Sequence, residues 1–299
     1  MISLSLKKCL GLGSLSYAIL LLVGCGGGVG DGAQTQNGTF TLAITDAPVD
    51  DVMNVFVEFT AVTLKPRAGQ EISFEFDPPE QVDLKTLEGE KMVTLLDHVT
   101  VPAGAYNWVQ LHVNGEFDGQ DMSGTYVIDA MGQHDLRIPS GSQSGLRLVS
   151  GFTITVNQNT NFVIDWDLRK GLTNPIGQPG YFLKPALRIT DLTEYGSISG
   201  TVPEVMAGCD PLIYVYEGSD VAPEDMGSPT EPLTTATVAQ DPNNASAWSY
   251  SVTFLSPMVY TVAYTCDALA DDPDVDDAVM FLAAQIATVE DGQDTRINF

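Results

Sequence analysis

The chain has 299 residues and a formal net charge of −26, from 39 acidic and 13 basic side chains. That balance argues against nucleic acid as a partner, since a phosphate backbone needs a basic footprint, and it offers no polybasic patch to an anionic lipid surface. The length suffices for two ordinary domains, each burying its own core.

The chain opens with the parts of a secretory signal: Lys7-Lys8, an apolar stretch to Val23, then small residues. Its end, Leu22-Val23-Gly24-Cys25, resembles the lipobox of bacterial lipoproteins. The resemblance implies cleavage before Cys25, a diacylglycerol thioether on its sulfur and acylation (palmitate or a similar chain) of the new amino terminus. The alternatives are an ordinary signal peptide with a chance cysteine and a single-span anchor. The second is disfavoured because Gly-rich sequence, without a basic stop-transfer cluster, follows Cys25. Gly26 stands where an Asp would signal retention in an inner membrane, so the lipoprotein resemblance implies delivery to the outer membrane of a two-membrane host.

Residues 25–38 lack a hydrophobic period and read as a flexible, Gly-rich tether. From Thr39 the pattern is β. Phe40–Thr45, Asn54–Leu64, Glu71–Phe76, Tyr106–Val113, Phe152–Val156 and Asn161–Trp166 alternate β-branched or aromatic with polar residues, at sandwich spacing. Val82–Leu87 and Met92–Asp97 suit a short helix or a strand equally. An all-β domain over 39–194 follows. The pattern restarts with Ser197–Val202, Leu212–Tyr216, Ala247–Phe254, Val259–Thr265, Ala278–Val289 and Thr295–Phe299, a second all-β domain over 195–299. Met280–Ala287 has a helix-compatible composition, but its Ile-Ala-Thr-Val ending favours a strand. The fold class expected is therefore all-β, two sandwich-like domains behind a signal and a tether.

Several ordered motifs suggest relatives. Ile44-Thr45-Asp46-Ala47-Pro48-Val49-Asp50-Asp51, Pro102-Ala103-Gly104-Ala105-Tyr106, Ile138 to Leu146 (IPSGSQSGL), Ile164-Asp165-Trp166-Asp167 and Tyr181 to Ile189 (YFLKPALRI) together resemble the bacterial family catalogued as domain of unknown function 4382. The resemblance covers about 40–190 and implies an exported, β-rich lipoprotein domain without an established activity. The usual pattern has a small residue and Ser after the Asp-x-Asp, whereas Leu168-Arg169-Lys170 follows here. In the second domain, Gly196 to Val202 (GSISGTV), Ile213-Tyr214-Val215-Tyr216 and Tyr250 to Pro257 (YSVTFLSP) look like the carboxypeptidase-regulatory, transthyretin-like β-sandwich group. That likeness implies a spacer or binding module.

No G-x-S-x-G, H-E-x-x-H or P-loop pattern occurs. His98, His112 and His134 match no metal spacing, and Ser140, Ser142 and Ser144 lie in a Gly-rich turn that satisfies local backbone groups. Cys209 and Cys266, the remaining cysteines of an exported chain, are expected to pair as a disulfide. Asp165 and Asp167 flank Trp166, so on a strand both point to one face and repel unless a cation or a basic side chain joins them. Two readings stay open. Calcium is held by Asp165 and Asp167 with Asp46 nearby, or Asp46 caps the Ala47-Pro48 turn while the other two pair with Arg169, Lys170, Lys184 or Arg188. No other cofactor is expected. The Asp271–Asp277 run lacks the Gly and terminal Glu of an EF-hand and reads as a solvated loop. Trp108, Trp166 and Trp248 are expected in cores. These features favour a lipid-anchored envelope protein with a non-catalytic binding, adhesion or structural role toward an envelope glycan or protein. The rivals are a carbohydrate-active or other hydrolase using Asp46, Asp165 or Asp167 as acid and base, and a calcium-dependent adhesin.

Overall fold

A computed structural model describes residues 36–299 except 48, 50–51, 88, 116–123, 140, 142–144, 176, 178–179, 203–204, 206–207 and 242–243. The signal segment and Cys25 lie outside the described residues, as do Asp50, Asp51, Ser140, Ser142 and Ser144.

The first part of the chain supplies strands β1 (Asn37–Ala47), β2 (Asn54–Pro66), β3 (Ile72–Asp83), β4 (Val93–Pro102), β5 (Gly104–Asn114), β6 (Tyr126–Asp129) and β7 (Gly132–Arg137). It continues with β8 (Leu146–Leu148), β9 (Phe152–Ile154), β10 (Asn159–Asp167), a one-turn helix α1 (Leu168–Gly171), β11 (Leu172–Thr173), β12 (Tyr181–Leu183) and β13 (Leu187–Asp191). One sheet has the order β13-β10-β1-β4, with β1 and β10 parallel. The facing sheet runs β11-β12-β7-β6-β2-β5-β8, with β3 also on β2 and β9 on β5. Val82–Leu87 is thus a strand end followed by a 3-10 turn, and most of Met92–Asp97 is strand.

The first strand starts at Asn37, two residues before the expected Thr39, because Asn37 and Gly38 pair with Pro102 and Val101. Gly38 lies so close to the neighbouring loop that a Cβ there would stand 2.3 Å from the Thr155 carbonyl oxygen, so only glycine fits. Phe40, Leu42 and Ile44 of β1 and Phe162, Ile164 and Trp166 of β10 face the core between the sheets. β2 contributes Val55, Val57 and Phe59, then Val62 and Leu64. A bulge between Phe59 and Ala61 adds one residue and shifts which positions point inward, so both sets are buried. Trp166 is fully buried, packs edge-on to Phe59 and donates its indole N–H to the Lys184 carbonyl (3.2 Å).

The remaining strands are β14 (Gly196–Val202), β15 (Leu212–Glu217), β16 (Thr234–Thr237), β17 (Ala239–Asp241), β18 (Asn244–Leu255), β19 (Val259–Thr265), β20 (Phe281–Thr288) and β21 (Asp294–Arg296). They form two four-stranded sheets, β17-β18-β14-β21 and β16-β15-β19-β20. Ile198, Val252, Ile213, Val215 and Val262 lie between them. The unbroken apolar run of β15 is explained by burial on both faces. Ile213 and Val215 enter that core, while Leu212, Tyr214 and Tyr216 pack outward with Met226, Ala263 and Ala268. Within Ala278–Val289, Phe281–Thr288 is strand, consistent with the β-branched ending.

Among the described residues, strands up to Asp191 pair only with one another, and so do those from Gly196. Both sets nevertheless belong to one compact unit, Thr35–Phe299. They meet where Ala43 and Val163 of the first sandwich pack on Phe254 of the second. No helix among the described residues is long and apolar enough to cross a membrane.

Candidate functional site

The parallel pairing of β1 and β10 brings all three predicted aspartates to one end of one sheet, with Thr45 opposite Asp165 and Asp46 opposite Trp166. All three are buried, exposing only 5–6 % of their surface. Asp46 Oδ1 accepts from the Leu168 N–H (3.3 Å), which fastens the start of α1. Asp167 caps α1 by accepting from the Lys170 N–H (3.0 Å). Asp165 pairs with Arg188 on the neighbouring strand, Nη2 to Oδ2 at 2.6 Å. Burial, with the nearby Asp165 charge second, pushes the Asp167 carboxyl up to about 7.

Arg188 also donates through Nη1 to the Phe254 carbonyl of the second sandwich (2.7 Å), which accepts the Thr190 hydroxyl as well (2.9 Å). Phe254 has φ +55, a left-handed conformation rare for a bulky residue. It sits in a bulge between β14 and β18, after Val252 pairs with Ile198 and before Leu255 pairs with Gly196. The Asp165–Arg188 pair separates two clefts between the sandwiches, of about 390 and 380 Å³. The larger one is lined by Thr45, Thr235, Thr237, Ser251 and Thr253, with no tryptophan in its wall.

The other candidate partners of the aspartates go elsewhere. Lys184 pairs with Asp274, and the Lys170 ammonium with Glu231. Arg169 reaches from α1 to the Ala268 carbonyl (3.4 Å), next to a layer in which Tyr214 bonds the buried Asp271. Burial lowers the Arg169 guanidinium, opposed by Asp210 and Asp271. Burial also raises the Asp271 carboxyl, against the bonds from Tyr214 and the Met226 N–H. Arg169 and Lys170, within the segment that departs from the usual pattern, therefore grip the second sandwich, while Leu168 is buried in the first. Asp271 within the acidic run is buried and bonded, whereas Asp272 and Asp274 are exposed.

Each carboxylate that the calcium reading needs has a protein donor, and among the described residues no group of three His, Cys, Asp or Glu is arranged to hold a metal ion. The histidines do not converge. His98 bonds Asp97, His112 bonds Thr63 (3.0 Å) and Gln110 (3.1 Å), and His134 bonds Asp129 (2.9 Å). Trp108 is partly exposed with Arg147 stacked on it at 4.1 Å, and Trp248 is partly buried.

One polar constellation escaped the sequence reading. Buried Asp129 accepts from the Tyr181 hydroxyl (2.8 Å), from His134 and from the Met131 and Gly132 N–H groups of the β6–β7 turn. Burial raises its carboxyl, but the bonds from Tyr181, Met131 and His134 outweigh that and hold it below the usual carboxylate range. Asp three residues before Gly132 was the available signal for the turn. Tyr181 lies 52 residues away and had none.

Cys209 and Cys266 form a disulfide, Cα to Cα 4.6 Å, closing 57 residues of sequence. Replacing both with Ser should cost about 2–4 kcal/mol, chiefly by freeing the unfolded chain. Denaturant unfolding would read it, with the m-value rising as the freed denatured chain expands. No loss would overturn the chain-entropy account of this cross-link.

The class this defines is an all-β protein of paired sandwiches joined through a buried polar seam. Residues 37–185 match the protein family described as a domain of unknown function (DUF4382). No curated protein matches the sequence. Among solved structures, a leucine-rich repeat protein from Bacteroides thetaiotaomicron is 13 % identical (TM-score 0.22), over 88 % of this chain and 26 % of its own. The Bacillus anthracis TIE protein is 11 % identical (TM-score 0.21), over 87 % of this chain and 34 % of its own. A minor pilin of Streptococcus agalactiae is 9 % identical (TM-score 0.19), over 87 % and 94 %. The chain thus spans about a quarter and a third of the first two, and superpositions at these scores carry no functional argument.

Proposed function

We propose that the chain is a lipid-anchored cell-envelope protein with a non-catalytic role in binding, adhesion or structural display. The observation that carries this reading is the use made of Asp46, Asp165 and Asp167. Each accepts a hydrogen bond from the protein, and through Arg188 and α1 they help fasten the two sandwiches together. A hydrolase needs two carboxylates presented to substrate, and an adhesin bound through calcium needs their oxygens turned to the ion. Residues 39–194 and 195–299 serve as the two domains, the second a transthyretin-like spacer or binding module. Leu22 to Cys25 supplies the lipid site, and the Cys209–Cys266 bond suits an oxidising compartment. With so acidic a chain, the acyl groups are the membrane contact, in the outer membrane where the host has two.

Cys25→Ser tests the anchor. Cells fed a labelled fatty acid should label the parent chain and not the variant, which should remain folded with its disulfide intact. A parent that takes up no label, or a variant labelled equally, overturns the reading.

A further inference from the structure

Among the described residues, strand β20 is the free edge of its sheet, paired with β19 alone. The other edges of this sandwich are short: β17 and β21 have three residues each, and β16 has four, three of them buried. β20 has eight, and its middle is open on both faces. Leu282 is 53 % and Ile286 48 % exposed, with Met280 at 61 % just before them. From Phe281 to Val289 the sequence has no charge, no proline and no glycine. Natural edge strands usually carry Lys, Pro or a bulge to prevent pairing. The register shift near Phe281 affects only the start of this one. Thr295 bonds the Thr288 carbonyl and the Gln285 side chain donates to the Asn298 carbonyl (2.7 Å), which leaves the outer backbone edge of residues 281–287 as the open template.

Charge says what such an edge accepts. Asp276 and Asp277 precede it and Glu290 and Asp291 follow it. Residues 195–299 hold 17 acidic side chains and one basic, Arg296. A second copy of the chain added antiparallel would set Glu290 and Asp291 against the partner's acidic start, and like charges there oppose it. We propose that β20 docks an extended segment of another protein as a fifth strand, uncharged at its centre and basic at both ends. Backbone hydrogen bonds supply the pairing, Leu282 and Ile286 the apolar contact, and the flanking carboxylates the selection. This names a kind of partner for the binding role proposed above and does not depend on the lipid anchor.

The test uses the full-length chain in detergent and a labelled synthetic peptide of alternating Val and Thr with two Lys at each end. A second peptide with Glu ends is the control. The Lys-ended peptide should bind, slow amide exchange over residues 281–287, and weaken about tenfold or more between about 0.05 and 0.5 M salt. The Glu-ended peptide should bind at least about tenfold more weakly. Ile286→Lys should weaken the Lys-ended peptide by about tenfold without altering the melting temperature, since its side chain is exposed. Ala284→Pro, which removes an edge N–H, is the second variant and should act likewise. No binding, equal binding of the two peptides, protection confined to other strands, or sedimentation showing a dimer that Ile286→Lys dissolves would each overturn the proposal. Cys25→Ser should bind the peptide as the parent chain does, so failure of the anchor reading remains separate from failure here.

Discussion

Arg188→Met should destabilise the folded chain by about 3–5 kcal/mol, the cost of leaving a buried carboxylate without its partner. Asp165 exposes only 6 % of its surface, and its Oδ1 has no hydrogen-bond partner even with Arg188 present. The same guanidinium spans the sandwiches, so the variant also strips one of two donors from the Phe254 carbonyl. Methionine retains much of the volume and none of the charge. Pairing it with Asp165→Leu removes both ions, and the double variant should regain most of the loss, because burying a pair is itself expensive. Urea unfolding of the four proteins closes the cycle. A loss below about 1 kcal/mol in Arg188→Met would class the pair with solvent-exposed ion pairs, contrary to its burial.

Much of the architecture was legible because side-chain alternation reports burial directly. β1, β10 and β18 fall close to where their alternation put them. The β6–β7 hairpin was not legible, since Gly132-Gln133-His134-Asp135 is too polar to read as strand. Neither were the three- and four-residue strands β8, β16 and β17, whose pairing comes from their neighbours.

The site divides along the same line. Placing Asp165 and Asp167 on one face needed only the strand period, and Arg188 stood among the foreseeable partners. Its second bond did not, because it depends on a left-handed residue 66 positions away. Likewise, nothing local sends Lys184 to Asp274, 90 residues on, or Arg169 to Ala268. Contacts made across the seam exist only once both sandwiches have formed.

That seam has a pH dependence whose sign can be fixed at Asp167. Its folded carboxyl titrates at about 7, mainly through burial and secondarily through Asp165. In an unfolded chain an aspartate titrates near about 3.9. Between those values the unfolded chain has released a proton that the folded chain still holds, so stability falls as pH rises from about 4 to about 7 and levels above that. At about 1.4 kcal/mol per unit the full penalty reaches about 4 kcal/mol by pH 8. Asp167→Asn removes the ionisation and keeps an oxygen to accept the Lys170 N–H, since Asn caps a helix as well as Asp does. The variant should therefore match the parent near pH 4 and gain on it through pH 7. Denaturant curves at a series of pH values should show the two diverging over that window. Parallel curves would mean that Asp167 is ionised in the fold at neutral pH, with the Lys170 N–H and nearby Arg188 outweighing its burial. An Asp167 that titrates within the seam thus contributes folding stability that grows as the surroundings turn acidic.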